Sequence, residues 1–290
     1  MSEKYETKLI GITSGRNFRE LGGYKTTTGQ EIKRHKLVRS GNLADLSDED
    51  VTFLENYGVK YDVDFRSKKE VTEHPDRVPT GALYEFDPVF SEDLTNASKG
   101  IFALEQNAEK DPEYGYKHMF YAYEDMIKSD SAQKAYRKFF ELLLTNSKEN
   151  EVLLFHCTAG KDRTGFGALL ALSALGVPFS TIKYDYGLTN VTTADFINNM
   201  LAKASANGAS KRVLQALNDV QSVYPEYMDH AVYLLNKEYG GINEYLRTVM
   251  KLSANDILDL RRIYLKGWWE NEWTEVFIHW KQIKGRNISG

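Results

Sequence analysis

Eleven consecutive residues constrain this chain more than any other stretch: Phe155-His156-Cys157-Thr158-Ala159-Gly160-Lys161-Asp162-Arg163-Thr164-Gly165. Before them, Val152-Leu153-Leu154-Phe155 is a short unbroken apolar run, the pattern of a buried parallel strand. After them, Phe166 to Leu175 is rich in Ala and Leu and is predicted to be helix. A strand that turns tightly into a helix gathers backbone N–H groups at the helix N-terminus, which makes a site for an anion. A thiol at Cys157 would sit at the partial positive end of that helix, which favours the thiolate. Arg163 could grip two oxygens of the same anion through its planar fork, as Lys could not. Gly160 would let the backbone of the loop come close without a side chain in the way. The bland alternative is a buried cysteine before a glycine turn.

With 290 residues, the chain is long enough for one large domain or two small ones. A net charge of -4 offers no general attraction to nucleic acid or to anionic lipid. No apolar run reaches the roughly 18 residues of a membrane span, so no integral membrane segment is expected. The polar opening Met1-Ser2-Glu3-Lys4-Tyr5-Glu6-Thr7-Lys8 has no signal-peptide core, which predicts a cytoplasmic protein unless a leader has been removed. Cys157 is the one cysteine in the sequence, which excludes an internal disulfide or a zinc site built on several thiolates.

Hydrophobic patterning divides the rest. Ser47 with Asp48-Glu49-Asp50 reads as a capped helix start, continued by Val51, Leu54 and Tyr57 and stopped at Gly58. Val59, Tyr61, Val63 and Phe65 alternate with polar residues, which predicts a half-buried strand. A second short strand is expected over Leu83-Tyr84-Glu85-Phe86, ending at Asp87-Pro88, and a long mobile loop over 91–113. Helices are expected over 116–127 and 131–144, the second with Ala132, Ala135, Tyr136, Phe139 and Leu143 on one apolar face. Alternating strands and helices imply an α/β layer with a central, mainly parallel sheet flanked by helices. From Thr192 onward the pattern is helical: a hairpin of 193–206 and 210–223 about Asn207-Gly208, then 226–239, 241–250 and a helix opened by Ser253. The four tryptophans lie from Trp268 to Trp280, so 267–290 reads as a tryptophan-rich extension able to bury an aromatic stripe against the body of the chain, with dimerisation or membrane contact as the alternatives.

The loop resembles the signature of the cysteine-based phosphatases, His-Cys-x5-Arg-Thr/Ser-Gly. Six positions match: His156, Cys157, Gly160, Arg163, Thr164 and Gly165. At about 5% usage per residue type, chance supplies such a match on the order of 10⁻⁸ times per window. Thiol-based arsenate reductases share a Cys-x5-Arg loop but need further cysteines, which this chain lacks. The order of the other motifs narrows the resemblance. Asn17-Phe18-Arg19-Glu20-Leu21-Gly22-Gly23, Arg39-Ser40-Gly41, Asp64-Phe65-Arg66-Ser67 with Glu70, and Tyr239-Gly240-Gly241 with Tyr245-Leu246 and Leu260-Arg261 are similar to the bacterial tyrosine and dual-specificity phosphatases. This is the family related to mycobacterial protein tyrosine phosphatase B and the listerial lipid phosphatase. The likeness spans roughly residues 9–266, with Glu20 standing where Asp is usual.

That resemblance implies a single phosphatase domain over 1–290 in which 193–223 is a helical lid over the active site. It also implies hydrolysis of phosphotyrosine, with phosphoserine, phosphothreonine or a phosphoinositide as further substrates, and no cofactor. Cys157 would attack phosphorus and form a phosphocysteine that water hydrolyses. The backbone of Thr158, Ala159 and Gly160 would cradle the equatorial oxygens together with Arg163, so that no metal is needed. Thr164 is expected to hydrogen-bond the sulfur, and His156 to position the loop and support the thiolate. Lys161 could add charge for a second phosphate. For the general acid, Asp87 is the first candidate, Asp162 its rival within the loop, and Asp93 a third. A phosphoinositide or inositol phosphate phosphatase and a phosphate-binding pseudoenzyme are the competing readings. The oligomeric state is not legible.

Overall fold

Five strands form one sheet in the computed structural model, which describes residues 11–92, 94 and 101–267. They are β1 (Arg19–Glu20), β2 (Leu37–Ser40), β3 (Val59–Asp64), β4 (Leu83–Phe86) and β5 (Val152–His156), in the spatial order β1-β2-β5-β3-β4. Only β1 runs antiparallel to its neighbour; β2, β5, β3 and β4 are parallel to one another. The apolar run predicted as a buried strand is therefore in the middle of the sheet, and all five residues of β5, His156 included, are buried.

Helices α1 (Asp48–Tyr57) and α2 (Lys68–Glu73) follow β2 and β3. The cap at Ser47 accepts from the Asp50 amide, and Gly58 closes α1 in the left-handed conformation, as its sequence implied. Ser67 and Glu70 form a capping box at the start of α2. After β4 come α3 (Ile101–Lys110), α4 (Tyr114–Lys128) and α5 (Asp130–Thr145). After β5 come α6 (Asp162–Ala174), α7 (Phe179–Thr192), α8 (Ala194–Ala206), α9 (Lys211–Gln221), α10 (Pro225–Tyr239), α11 (Ile242–Thr248) and α12 (Ala254–Tyr264).

One face of the sheet carries Leu37, Val63, Phe65, Leu153 and Phe155 into a large core shared with α4 to α6 and α9 to α12. The other presents Val38, Val59, Val152 and Leu154 to Phe18, Leu43, Leu46 and Leu54 around α1. Among the described residues, no helix is long and apolar enough to cross a membrane.

Several expectations need correcting. The stretch 91–113 is not one long loop, because Ile101–Lys110 is helix and packs against α9. Strand β3 is not half-solvated, since Asp62 and Asp64 on its polar side are both 0% exposed. Helix α7 carries no apolar stripe that would announce it; its buried positions are Ile182, Asp185, Tyr186 and Thr189, half of them polar. The Phe166–Leu175 helix starts four residues earlier, at Asp162, which puts Arg163 and Thr164 in its first turn. Asp93 and the tryptophan-rich segment 268–290 lie outside the described residues.

Candidate active site

Cys157 is the first residue past β5, and α6 begins five residues later, so Thr158–Lys161 forms the turn between strand and helix. Gly160 has φ +65°, and a Cβ there would run into the backbone of Ser40 and Gly41. The loop can pack this closely on β2 only with glycine at that position.

Every carbonyl from Cys157 to Lys161 is drawn away from the centre of the loop. That of Thr158 accepts from Asn42, through its backbone amide (3.1 Å) and its side chain (3.2 Å). The Asn17 side-chain amide donates to the carbonyls of Ala159 (2.9 Å) and Gly160 (2.8 Å). Arg39 Nη2 donates to those of Gly160 (2.8 Å) and Lys161 (3.3 Å). His156 Nδ1 lies 3.2 Å from the Cys157 carbonyl, and a carbonyl only accepts, so Nδ1 carries the proton. With the carbonyls held outside, the N–H dipoles face inward, as an anion cradle requires.

The residues that hold the carbonyls are themselves fixed by buried ion pairs. Arg19 Nε and Arg39 Nη1 both meet Asp185 of α7, at 2.9 and 2.6 Å. All three are about 1% exposed, and Tyr24 donates to the same carboxylate. Burial alone would raise the Asp185 carboxyl, but the two guanidinium groups bring it down to about 2.

Arg163 is completely buried, and its two terminal nitrogens donate to Glu70 at 2.8 and 2.9 Å. Thr158 Oγ1 bonds the same carboxylate, and the Phe90 ring lies 5.8 Å from the guanidinium. Burial would raise Glu70, but its bonds to Arg163 prevail and lower it to about 2. Sequence reading named Glu70 without giving it a role. The signal was the capping box: its Oε2 accepts from the backbone amide of Ser67 as well as from Arg163, so one carboxylate both starts α2 and aims the arginine.

The other candidates are dispersed around this centre. Thr164 Oγ1 is buried and has no hydrogen-bond partner among the described residues, so the expected bond to sulfur is not formed in this state. Lys161 does not face an open mouth: its ammonium is buried and donates to the carbonyls of Val220 (2.6 Å) and Ser222 (3.1 Å) at the end of α9. Asp162 sits between Lys161 Nζ (3.1 Å) and the Tyr123 hydroxyl (3.3 Å), with no hydrogen bond to Arg163. Burial lifts its carboxyl above the ordinary range, although Lys161 pulls the other way. Asp87 lies one residue past β4, at the same level as Cys157 past β5, with β3 between them. Two strand spacings separate these strand ends, roughly 10 Å. Strand alternation puts Tyr84 on the side of Asp64, to which it donates a bond, and Asp87 on the side of Cys157. Burial pushes the Asp87 carboxyl up to about 8, and Oδ2 has no partner among the described residues.

His156 points to the opposite face, toward Asp62, Asp64 and Asp76. Burial would lower the imidazole, yet the Asp76, Asp64 and Asp62 charges together raise it well above its ordinary value. The site as a whole is covered. Cys157 is 2% exposed, and Arg16, Ala159, Lys161, Phe196, Ile197 and Gln221 enclose a small cavity where α8 and α9 meet the loop.

A sheet edge that delivers a thiol and a buried arginine into one ring of inward amides is the arrangement of a phosphate-handling enzyme. The chain belongs to the tyrosine phosphatase family, whose model matches residues 10–266. It is similar to a protein of Cupriavidus necator that bears a tyrosine-protein phosphatase name, 31% identical over 251 residues that cover 87% of this chain and 86% of the relative. It is also similar to the triple specificity protein phosphatase PtpB of Mycobacterium tuberculosis, 27% identical with 80% and 90% covered. A tyrosine-protein phosphatase of Nostoc commune is 29% identical, with 79% and 74% covered. The α/β fold with its mainly parallel sheet agrees with that membership, and the protein is a phosphoric monoester hydrolase of the protein-phosphatase kind.

Proposed function

We propose that this enzyme removes phosphate from phosphotyrosine, and from phosphoserine and phosphothreonine, through a covalent intermediate on Cys157. The observation that carries the reading is the loop around Cys157, whose carbonyls are tied back by Asn17, Asn42 and Arg39, which favours amides turned inward, together with Arg163 paired to Glu70. The breadth of substrate follows the printed name of the mycobacterial relative.

In the first step the Cys157 thiolate forms an S–P bond as the ester P–O bond breaks, and the leaving oxygen takes a proton from a carboxylic acid. Asp87 suits that task, because burial keeps its proton on at neutral pH and one oxygen is unengaged. Asp162 is less suited, since both of its oxygens have partners. The ring amides and Arg163 hold the three equatorial oxygens, where negative charge is spread in the transition state. In the second step water attacks phosphorus, the S–P bond breaks, and phosphate leaves with the thiolate restored. A turn of the Thr164 side chain toward sulfur would stabilise that leaving thiolate.

Lys161 was the residue that suggested a second phosphate on an inositol ring. Its ammonium is engaged by Val220 and Ser222, so protein substrates are the better supported reading. The test is a panel of phosphopeptides and phosphoinositides, with rapid acid quench and mass analysis of the peptide that contains Cys157. A phosphoryl adduct on that peptide and preference for phosphopeptides support the reading. Cys157→Ser should lose turnover yet bind phosphate, and turnover above about 1% of wild type in that variant would remove the covalent mechanism.

A further inference from the structure

On the face of the sheet opposite the catalytic thiol lies a buried polar cluster that the proposed chemistry does not use. Asp62 and Asp64 project from β3 and His156 from β5, while Asp76 comes from the segment after α2. His156 Nε2 lies 3.1 Å from Asp62 Oδ1 and 3.2 Å from Asp76 Oδ2. One donor atom from each of the three residues falls within 4.8 Å of the others.

The partners within the cluster are unequally shared. Arg66 takes both oxygens of Asp64 and also reaches Asp76 Oδ2 at 2.5 Å. The other oxygen of Asp76 accepts from the Leu43 amide at 2.7 Å. Asp62 is 0% exposed, and its one close partner is His156 Nε2 at 3.1 Å from Oδ1, while Oδ2 has no hydrogen-bond partner among the described residues. Buried polar atoms left this way are rare and point to a missing ligand. Charge says the same. Three carboxylates set against Arg66 and a protonated His156 leave one buried negative charge, which is costly unless a cation answers it.

We propose that Asp62, Asp76 and His156 bind one divalent transition-metal ion, with zinc the best match. Bonds of about 2.0–2.2 Å arranged tetrahedrally put ligand atoms about 3.3 Å apart, close to the separations found around Nε2. An imidazole nitrogen among the ligands argues for zinc or a neighbouring metal over magnesium or calcium. Nδ1 donates to the Cys157 carbonyl, which leaves Nε2 as the nitrogen with a lone pair for the metal, the usual arrangement of a ligating histidine. Two positive charges with a neutral His156 balance the cluster. The approach is short, because Thr72 to Pro75 and Arg77, on either side of Asp76, are exposed. The ion would pin the ends of β3 and β5 to the 74–77 segment behind the loop, as a structural element and not a reactant.

The experiment uses the full chain carrying Cys157→Ser, so that no thiol competes, stripped with chelator and titrated with Zn²⁺ by calorimetry and with Co²⁺ by visible absorption. One equivalent of Zn²⁺, a four-coordinate Co²⁺ spectrum and a rise in Tm of several degrees are expected. Asp62→Asn, and separately Asp76→Asn, should weaken the affinity by at least about 10-fold. No saturable binding and no shift of Tm at millimolar Zn²⁺ would overturn the proposal whether or not either variant folds. Binding undiminished in a folded Asp62→Asn or Asp76→Asn protein would overturn it as well. Phosphatase activity is not part of the readout, so failure here leaves the catalytic reading untouched.

Discussion

Glu70 and Arg163 meet through two parallel hydrogen bonds, 2.8 and 2.9 Å long, inside a fully buried contact. The acid belongs to the first turn of α2 and the base to the first turn of α6, 93 residues apart in the chain. A guanidinium alone could swing through many directions; held by one carboxylate at both terminal nitrogens, it is fixed in one.

Loss of that clamp should be felt in catalysis and in folding alike. In Glu70→Gln the shape is kept, but the charge and one acceptor are lost, and bonds to charged groups contribute about 1.5–3 kcal/mol each. A fall in kcat/KM of about 10- to 100-fold is expected, with weaker inhibition by inorganic phosphate and a lower Tm, since a buried ion pair is broken as well. An unchanged kcat/KM would show that Arg163 orients itself.

Asp87→Asn should act on two measurements at once. For an alkyl phosphate, kcat is expected to fall about 10²-fold or more; for an activated phenol that leaves without a proton, the loss should be far smaller. Equal losses would take the acid role from Asp87, and the same split in Asp162→Asn would transfer it. Stability should move the other way. The folded chain keeps this proton up to about pH 8, whereas an unfolded one releases it near the ordinary value of 3.8. Rising pH between those limits therefore favours the unfolded chain. Asp87→Asn removes this penalty, so it should be the more stable protein at pH 8, by a difference on the order of a few kcal/mol that vanishes below about pH 4.

Asp185 predicts the opposite trend. Its carboxyl is held at about 2, against an ordinary value of 3.8, so its contribution is complete above about pH 4 and is lost as pH falls through about 2. At neutral pH, Asp185→Asn would leave Arg19 and Arg39 buried with no counter-charge, a loss of about 3–5 kcal/mol. Denaturant unfolding of the variant measures it directly.

The covering helices can be tested at Lys161. Lys161→Met keeps the aliphatic stem but drops both bonds to the end of α9. Alkylation of Cys157, only 2% exposed here, should become about 10-fold faster or more if α8 and α9 act as a lid. An unchanged rate would make them ordinary scaffold.

The strand, loop and helix around Cys157 could be read directly, because an apolar run, a glycine and an Ala/Leu-rich segment each carry a local preference that the fold obeys. The elements that escaped are those whose buried faces are polar. Asp62 and Asp64 imitate the solvent side of an amphipathic strand, and Asp185 and Thr189 interrupt what would have been the stripe of α7. Arg66 stands only two residues past Asp64, but the other partners, His156, Arg19 and Arg39, come from distant parts of the chain, and no periodicity within a window can report a charge supplied from elsewhere. The same blindness left Glu70 without a role, since its capping box is local and its arginine is not.

Asn17 reaches the loop from 142 and 143 residues away. An anion cradle tied to so remote a donor cannot assemble early, because contacts between distant residues must await closure of the chain between them. Nascent or partly folded molecules would thus carry a thiol without a working cradle. Catalytic competence then requires that the two halves of the polypeptide have met.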